Sequence, residues 1–190
     1  MPVSLEATRR RLTEKQADTV DRLTRAALEV LSREGFAGLT VRMVAAAAGV
    51  GTATAYTYFS SKEHLVAEVF WRRLAATPPP ADDDSADSTT RTVAVLRQIA
   101  MLVADEPALA GAVTSALLGT DPDVAHLRVR IGSEIRRRLV TALGEGADPD
   151  LVESLELLYA GALVRAGMGY ASYAEIADRL EQAAVRVLRD

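Results

Sequence analysis

Apolar residues recur every three or four positions along most of this chain, the spacing that places them on one face of an α-helix. One such helix is predicted to start after Thr40, which is a good helix N-cap. Its apolar face consists of Val41, Val44, Ala45 and Ala48. Gly49 then supplies the left-handed backbone conformation with which a helix can end. A second helix is predicted to start near Thr52 and to bury Ala55 and Phe59, which lie four residues apart.

The remaining face of this second helix carries hydrogen-bonding side chains and no acidic residue. These side chains are Thr52, Thr54, Tyr56, Thr57 and Tyr58. Two short helices joined by a tight turn are typical of the helix-turn-helix, whose second helix enters the major groove of DNA. An ordinary corner in an all-helical core is the alternative interpretation of this stretch.

The same periodicity predicts helices through the rest of the chain, so the fold class is expected to be all-α. The approximate helix spans are 15–34, 61–76, 91–104, 106–118, 120–143, 148–167 and 173–188. The first of these helices is expected to end at Gly35. Three prolines and a run of aspartates between residues 77 and 90 predict a mobile linker.

Four segments are therefore predicted. Residues 1–13 form a basic arm that contains Arg9, Arg10 and Arg11, and residues 14–76 form the helix-turn-helix domain with a linking fourth helix. The linker covers residues 77–90, and residues 91–190 form a helical body. The arm is either a solubilising tail or a contact to DNA.

Composition narrows the possible functions. The chain of 190 residues has no cysteine and only two histidines, which disfavours disulfides and metal sites, and no cofactor is expected. The net charge is −4, but residues 1–76 carry +3 and residues 77–190 carry −7, which suits a protein that docks on nucleic acid with one end. The longest apolar run, 157–164, is too short to span a membrane, so no membrane partner and a cytoplasmic location are expected.

The first third of the chain closely resembles the TetR family of transcriptional regulators. The matching residues are Gly35-Phe36, Leu39-Thr40-Val41, Val44-Ala45, Ala48-Gly49-Val50, Tyr56, Tyr58-Phe59, Ser61-Lys62-Glu63 and Leu65. The chain departs from the family pattern at Gly51, where the family usually has serine, and at Ala53, where it usually has glycine. The resemblance implies an N-terminal three-helix DNA-binding domain and a C-terminal helical domain for ligand binding and dimerisation.

The resemblance also implies double-stranded operator DNA as the main partner. Thr52, Ala53 and Thr54 are expected to face bases, and Lys62 is expected to contact phosphates together with residues of both short helices. The full predicted DNA-binding set is Thr40, Arg42, Thr52, Ala53, Thr54, Tyr56, Thr57, Tyr58 and Lys62.

A homodimer and a small-molecule inducer are the two further partners that the resemblance implies. The last two helices carry more apolar surface than a one-sided helix needs, and their predicted interface comprises Leu155, Leu158, Ala162, Ala166, Ile176, Leu180, Ala184 and Val187. The predicted pocket for an apolar or acyl-type ligand comprises Met101, Leu102, Leu117, Leu118, Ile131, Ile135, Tyr159, Leu163 and Arg165. Arg165 interrupts an apolar run and is expected to pair with an acid or to bind an anionic ligand group.

Two other functions are considered beside a ligand-released repressor. One is a DNA-binding regulator without a small-molecule inducer, controlled by a protein partner. The other is an all-α magnesium-dependent enzyme that uses Asp83, Asp84 and Asp87, because these residues match an aspartate-rich pattern of terpenoid synthases. The enzyme is disfavoured because the pattern follows three prolines, so no catalytic residue is assigned.

Overall fold

The computed structural model describes residues 14–80 and 86–189, and this part of the chain is helical with no strand. The helices are α1 (Glu14–Gly38), α2 (Val41–Ala47), α3 (Thr52–Tyr58), α4 (Lys62–Ala76), α5 (Ser88–Met101), α6 (Pro107–Leu118), α7 (Pro122–Leu143), α8 (Pro149–Gly167) and α9 (Tyr173–Val187). The prediction of an all-α fold is confirmed. Among the described helices, none is both long enough and apolar enough to cross a membrane.

The chain divides into two compact units. Within the described residues, the first unit holds 14–75 and 108–129, and the second holds 76–107 and 130–189. The first of these segments ends at Ala75. The sequence pattern did not predict that α6 and the beginning of α7 belong to the first unit. The predicted arm with Arg9–Arg11, and Asp83 and Asp84, lie outside the described residues.

The first unit is built on the apolar faces of its helices. The buried face of α1 comprises Val20, Leu23, Ala27, Val30 and Leu31, which recur at the three- and four-residue spacing of one apolar helix face. Each of its valine and leucine side chains contributes roughly 1.5–3 kcal/mol when fully buried. At Gly35 the backbone has φ 66°, so the regular helix ends there as predicted, and a single further turn leads to Leu39.

An arginine of α1 braces the turn between α2 and α3. The Nη2 atom of Arg22 donates hydrogen bonds to the carbonyl oxygens of Ala48 at 2.6 Å and Gly49 at 3.1 Å. Gly49 has φ 62°, and a Cβ at this position would come within 3.2 Å of the same guanidinium. The left-handed turn and the arginine therefore hold the corner between the two short helices together.

The start of α7 is tied to the chain between α3 and α4, within the first unit. Ser60 donates a hydrogen bond from Oγ to the Asp123 carboxylate at 2.5 Å. The Asp121 carboxylate caps α7 by accepting from the backbone amides of Asp123 and Val124. Burial raises the pKa of Asp121, but hydrogen bonds from the Ser61 hydroxyl and the two amides outweigh burial and hold this pKa below its usual value.

The second unit is built around α5, α8 and α9, with α9 packed against the other two helices. A reciprocal capping box between Ser172 and Glu175 starts α9. The buried face of α9 contains Ile176, Leu180 and Ala184. This face therefore lies inside one subunit.

This packing contradicts the prediction that most of these residues lie at a dimer interface. Five of its eight residues are buried in the core of a single chain, because α9 covers the apolar faces of α5 and α8; these are Leu155, Ala166, Ile176, Leu180 and Ala184. The other three, Leu158, Ala162 and Val187, are half-buried. Most of the apolar surface that the sequence indicated is thus buried by packing within a single chain.

A buried ion pair anchors α7 within the second unit. Arg138 is buried, and its Nε atom donates to Glu134 at 2.7 Å, while its Nη2 atom donates to the carbonyl oxygen of Thr77 at 2.7 Å. Arg137 donates to both oxygens of the same glutamate. Burial raises the pKa of Glu134, but the two arginines outweigh burial and hold its pKa below the usual value.

Both ends of the predicted linker over residues 77–90 make defined contacts or belong to a helix. Thr77 and Pro78 are held by hydrogen bonds from Arg138 and Gln98, and α5 begins at Ser88 with Asp87 as its N-cap. The beginning of the proline-rich segment is therefore held by side chains of α7 and α5. A long arginine side chain can hold such a segment from a distant helix, which local sequence does not reveal.

We expect Arg22→Met to lower the free energy of unfolding by about 1 kcal/mol, because two carbonyl groups at the turn lose a charged donor. Urea denaturation measures this change. The control is Arg25→Met, since the Arg25 guanidinium makes only a 3.4 Å hydrogen bond within α1. Equal stability of both variants would contradict the bracing role.

We expect Glu134→Gln to destabilise the fold by on the order of 3 kcal/mol near neutral pH, because Arg138 would keep its buried charge without its carboxylate. The folded pKa of Glu134 lies below the ordinary value of 4.5, so the difference from wild type should be complete above that pH. It should shrink as the pH falls through the folded pKa. Denaturation from pH 7 to 3 tests this, with the exposed Glu153→Gln as control; a difference that does not depend on pH would count against it.

Candidate DNA-binding surface

Thr40 sets the start of α2, as predicted. Its hydroxyl oxygen accepts a hydrogen bond from the amide of Met43 at 3.2 Å, and its own backbone is extended. The helix ends at Ala47, and Gly49 follows with positive φ. The hydroxyl hydrogen of Thr40 can still be donated outward, which suits a contact to an anionic oxygen.

Packing of two side chains fixes the orientation of α3. Ala55 and Phe59 are completely buried, and Phe59 also makes an edge-to-face contact with His64 at a centroid distance of 5.5 Å. The opposite side of the helix consequently faces solvent. The exposed residues are Thr52, Ala53, Thr54, Tyr56 and Thr57, and Tyr58 is half-buried. The structure thus brings together the predicted base-facing residues on one accessible face.

The exposed face of α3 presents hydrogen-bond donors and no negative charge, which suits an anionic partner. The side chain of Tyr56 is 51% exposed and presents a phenol that can donate a hydrogen bond. From residue 40 to residue 62 the chain contains two basic residues, Arg42 and Lys62, and no acidic residue. Arg42 is exposed, and its guanidinium makes no hydrogen bond or ion pair within the part of the chain that the structure describes.

Lys62 has a different role from the one that its basic side chain suggested. Its Nζ atom donates to the carbonyl oxygens of Phe36 at 2.9 Å and Ala37 at 3.3 Å, and it lies 4.7 Å from the centre of the Phe36 ring. These contacts fasten the last turn of α1 to the start of α4. At most one ammonium hydrogen remains for DNA, so the expected phosphate contact of Lys62 is corrected to a mainly internal one. The partners lie 25 and 26 residues away in sequence, and no local pattern indicates them.

The residues of the predicted ligand pocket are divided between the two compact units. Leu117 and Leu118 belong to the first unit and the others to the second. Leu118 is exposed, and exposed Arg165 lies 5.0 Å from the centre of the Tyr170 ring, so these two predicted contacts are corrected. Ile131, Ile135 and Tyr159 are buried, while Met101, Leu102, Leu117 and Leu163 are half-buried. Burial raises the pKa of Tyr159 far above its usual value, which keeps its phenol neutral.

Comparison with known proteins identifies the family of this chain. Residues 23–69 match a family described as "Bacterial regulatory proteins, tetR family". An uncharacterised HTH-type transcriptional regulator of Mycobacterium tuberculosis is 48% identical over 168 residues, covering 87% of this chain and 78% of the relative. A regulator with the same description from Mycobacterium bovis has the same identity and coverage.

Solved structures share the fold over nearly the whole chain. A TetR transcriptional regulator from Rhodococcus sp. RHA1 has a TM-score of 0.75 at 22% identity, covering 94% of this chain and 99% of that one. The regulator FadR from Bacillus subtilis, solved in complex with stearoyl-CoA, has a TM-score of 0.63 at 18% identity, covering 87% and 97%. The relatives are transcriptional regulators, which excludes the magnesium-dependent enzyme as an interpretation. The chain belongs to the TetR family of bacterial transcriptional regulators, which bind DNA through a helix-turn-helix.

Proposed function

We propose that the protein is a repressor that binds operator DNA as a homodimer in the cytoplasm and is released by a small apolar or acyl-type ligand. The DNA-binding part of this proposal rests on one observation. The exposed face of α3 is polar and carries no acidic residue, and Arg42 of the preceding helix is also exposed. A face of this kind suits the major groove, because its hydroxyl groups can contact bases while a basic residue contacts phosphates.

The individual contacts are proposed from exposure. Thr52, Ala53 and Thr54 lie at the start of α3 and face bases. The methyl group of Ala53 suits the methyl of a thymine better than a polar base edge. Phosphate contacts come from the side chains around these three residues. Among them, Arg42 takes the role of basic phosphate contact that was first expected for Lys62. They are Thr40, Arg42, Tyr56, Thr57 and Tyr58.

The proposed dimer uses a strip of small and apolar residues on the open side of α8. Leu157 is 68% exposed and Met168 is 67% exposed. Ala160, Gly161 and Val164 lie between them at helical spacing, and a Cβ added to Gly161 would meet no atom within 4 Å. Such a strip allows the close approach of a helix from a second copy, and half-buried Leu158, Ala162 and Val187 can contribute at its edges.

Control by a small-molecule ligand is proposed because a solved protein with a similar fold contains a bound ligand. The Bacillus subtilis regulator was solved with stearoyl-CoA, although its 18% identity to this chain supports the fold alone. A ligand that prefers a conformation unable to bind DNA must bind that conformation better by about 1–3 kcal/mol to lower operator affinity 5- to 150-fold. In this protein α4 follows α3 after a short connection, so its movement is the proposed link between ligand and recognition helix.

We expect Arg42→Ala to reduce the slope of log affinity against log salt by about one unit, since one phosphate contact is lost. Fluorescence anisotropy with the upstream DNA of the gene measures the slope. The control is Arg136→Ala, a substitution on α7 that removes the same charge from an exposed position paired with Glu156. If both variants keep the wild-type slope, Arg42 does not contact a phosphate.

We expect Leu157→Arg to convert the dimer into monomer, because its charge would be buried without a partner at the contact. Light scattering measures the oligomeric state. Val140→Arg serves as a matched control, since Val140 is another exposed apolar residue, 41% exposed, outside the strip. A stable dimer of the Leu157 variant would place the interface elsewhere.

We expect ligand and operator to weaken each other by the same factor, as thermodynamic linkage requires. Calorimetric titration of acyl-CoA thioesters and fatty acids into the protein, with and without saturating operator, gives both affinities. Binding of a ligand with equal affinity in both cases would contradict ligand control. A regulator controlled by a protein partner would then be the better description.

A further inference from the structure

The helix-turn-helix of this chain lacks most of the side chains that read purines through paired hydrogen bonds. Arginine and lysine contact guanine in this way, and asparagine and glutamine contact adenine. From residue 40 to residue 62 the chain contains no asparagine and no glutamine, and its two basic residues are Arg42 and Lys62. Base recognition by α3 therefore depends on what those two residues do and on which other groups the helix presents.

Neither basic residue lies among the base-facing side chains of α3. The Nζ atom of Lys62 donates to the carbonyl oxygens of Phe36 and Ala37, which ties it to the end of α1. Arg42 is exposed on α2, and the first helix of a helix-turn-helix crosses the phosphate backbone. Because α3 itself carries no charged side chain, it has no cation with which to contact the edge of a guanine.

The exposed start of α3 presents methyl groups instead. Thr52, Ala53 and Thr54 are all exposed, and each carries one methyl group. The burial of Ala55 and Phe59 fixes the side of the helix on which these groups lie. At residue 53 the family usually has glycine, so the methyl group of Ala53 is an addition to the common pattern.

These methyl groups are the selective part of the surface. A threonine hydroxyl can donate or accept a hydrogen bond and therefore suits the edge of any base. A methyl group is selective, because thymine is the one base of the four whose major-groove edge carries a methyl group of its own. Contact between two methyl groups buries about as much apolar surface as one methylene, which corresponds to about fourfold in affinity.

We propose that α3 selects its operator through the C5 methyl groups of thymines, contacted by Thr52, Ala53 and Thr54. The inference rests on the proposed function, in which α3 enters the major groove, and it names the chemistry that is read there. A paired hydrogen bond discriminates roughly 5- to 150-fold, so weaker methyl contacts must be repeated to give a selective protein. A homodimer repeats them, because each copy contacts one half of the operator.

Removal of the thymine methyl groups tests the DNA side of the contact with the intact protein. An operator is selected from a pool of random duplexes and then synthesised with deoxyuridine at every thymine, which removes the methyl and keeps the hydrogen-bonding groups. We expect fluorescence anisotropy to show roughly tenfold or weaker binding of the uracil operator, with about fourfold losses at two or more single positions in each half-site. Binding of the uracil operator within twofold of the thymine operator would overturn the proposal.

Addition of a methyl group provides the complementary test. At each position where uracil weakens binding, the T·A pair is replaced by a C·G pair or by the same pair with 5-methylcytosine. The two replacements have identical hydrogen-bonding groups and differ in one methyl. We expect the methylated pair to bind about fourfold more tightly than the unmethylated pair. Equal affinity for both pairs at every such position would contradict methyl readout.

Protein variants assign the contacts to residues. Thr52→Ser, Thr54→Ser and Ala53→Gly each remove one methyl group, whereas Thr54→Val removes a hydroxyl and keeps a methyl. In each methyl-deleting variant, uracil should no longer weaken binding at one position of each half-site, while Thr54→Val should retain the wild-type pattern. Thr141→Ser is the matched control, since it removes the same methyl from an exposed position on α7. An unchanged uracil pattern in all three folded methyl-deleting variants would overturn the assignment, and the two DNA series decide the proposal without any variant.

The selection step separates failure of this inference from failure of the proposed function. If no sequence is enriched from the random pool, operator binding is contradicted and the inference falls with it. An operator that is lost in the Tyr56→Glu variant but is bound equally with uracil and with thymine would leave DNA binding by α3 in place. That result would overturn methyl readout alone.

Discussion

Burial of Ala55 and Phe59 is the constraint on which the candidate DNA-binding surface depends. Both side chains are completely covered, so α3 has no freedom to rotate without exposing an aromatic ring. Everything else about the surface follows from this orientation. The threonines and Tyr56 of the same short helix must face outward, and a seven-residue helix that could not persist alone is held as a rigid element by its core contacts.

Two basic side chains that are distant from α3 in sequence also hold this region in place. Arg22 closes the turn before α3, and Lys62 fastens the start of α4 to the last carbonyl groups of α1. Neither side chain needs DNA to be ordered. Basic residues near α3 therefore differ in what they do, because Arg22 and Lys62 hold the scaffold while Arg42 is the residue proposed to contact a phosphate.

The sequence predicted the features that depend on local chemistry. The cap at Thr40, the break at Gly35, the buried stripe of α1 and the two faces of α3 all follow from residue type and periodicity, and the structure agrees with them. Long-range partners could not be predicted. Periodicity marks a side chain as apolar but does not say whether α9 covers it or a second subunit does, so Ile176 and Leu180 were assigned to the wrong neighbour. The hold of Arg138 on Thr77 spans 61 residues and likewise leaves no local signal.

Replacement of Tyr56 by glutamate tests most directly whether the exposed face of α3 binds DNA. The side chain already points into solvent, so the fold should tolerate the change while a negative charge enters the proposed contact with the phosphate backbone. Operator affinity and melting temperature are measured on the same preparation. We expect operator binding to fall at least a hundredfold with an unchanged melting temperature. Unchanged operator affinity in a fully folded Tyr56→Glu protein would show that DNA is bound by another surface.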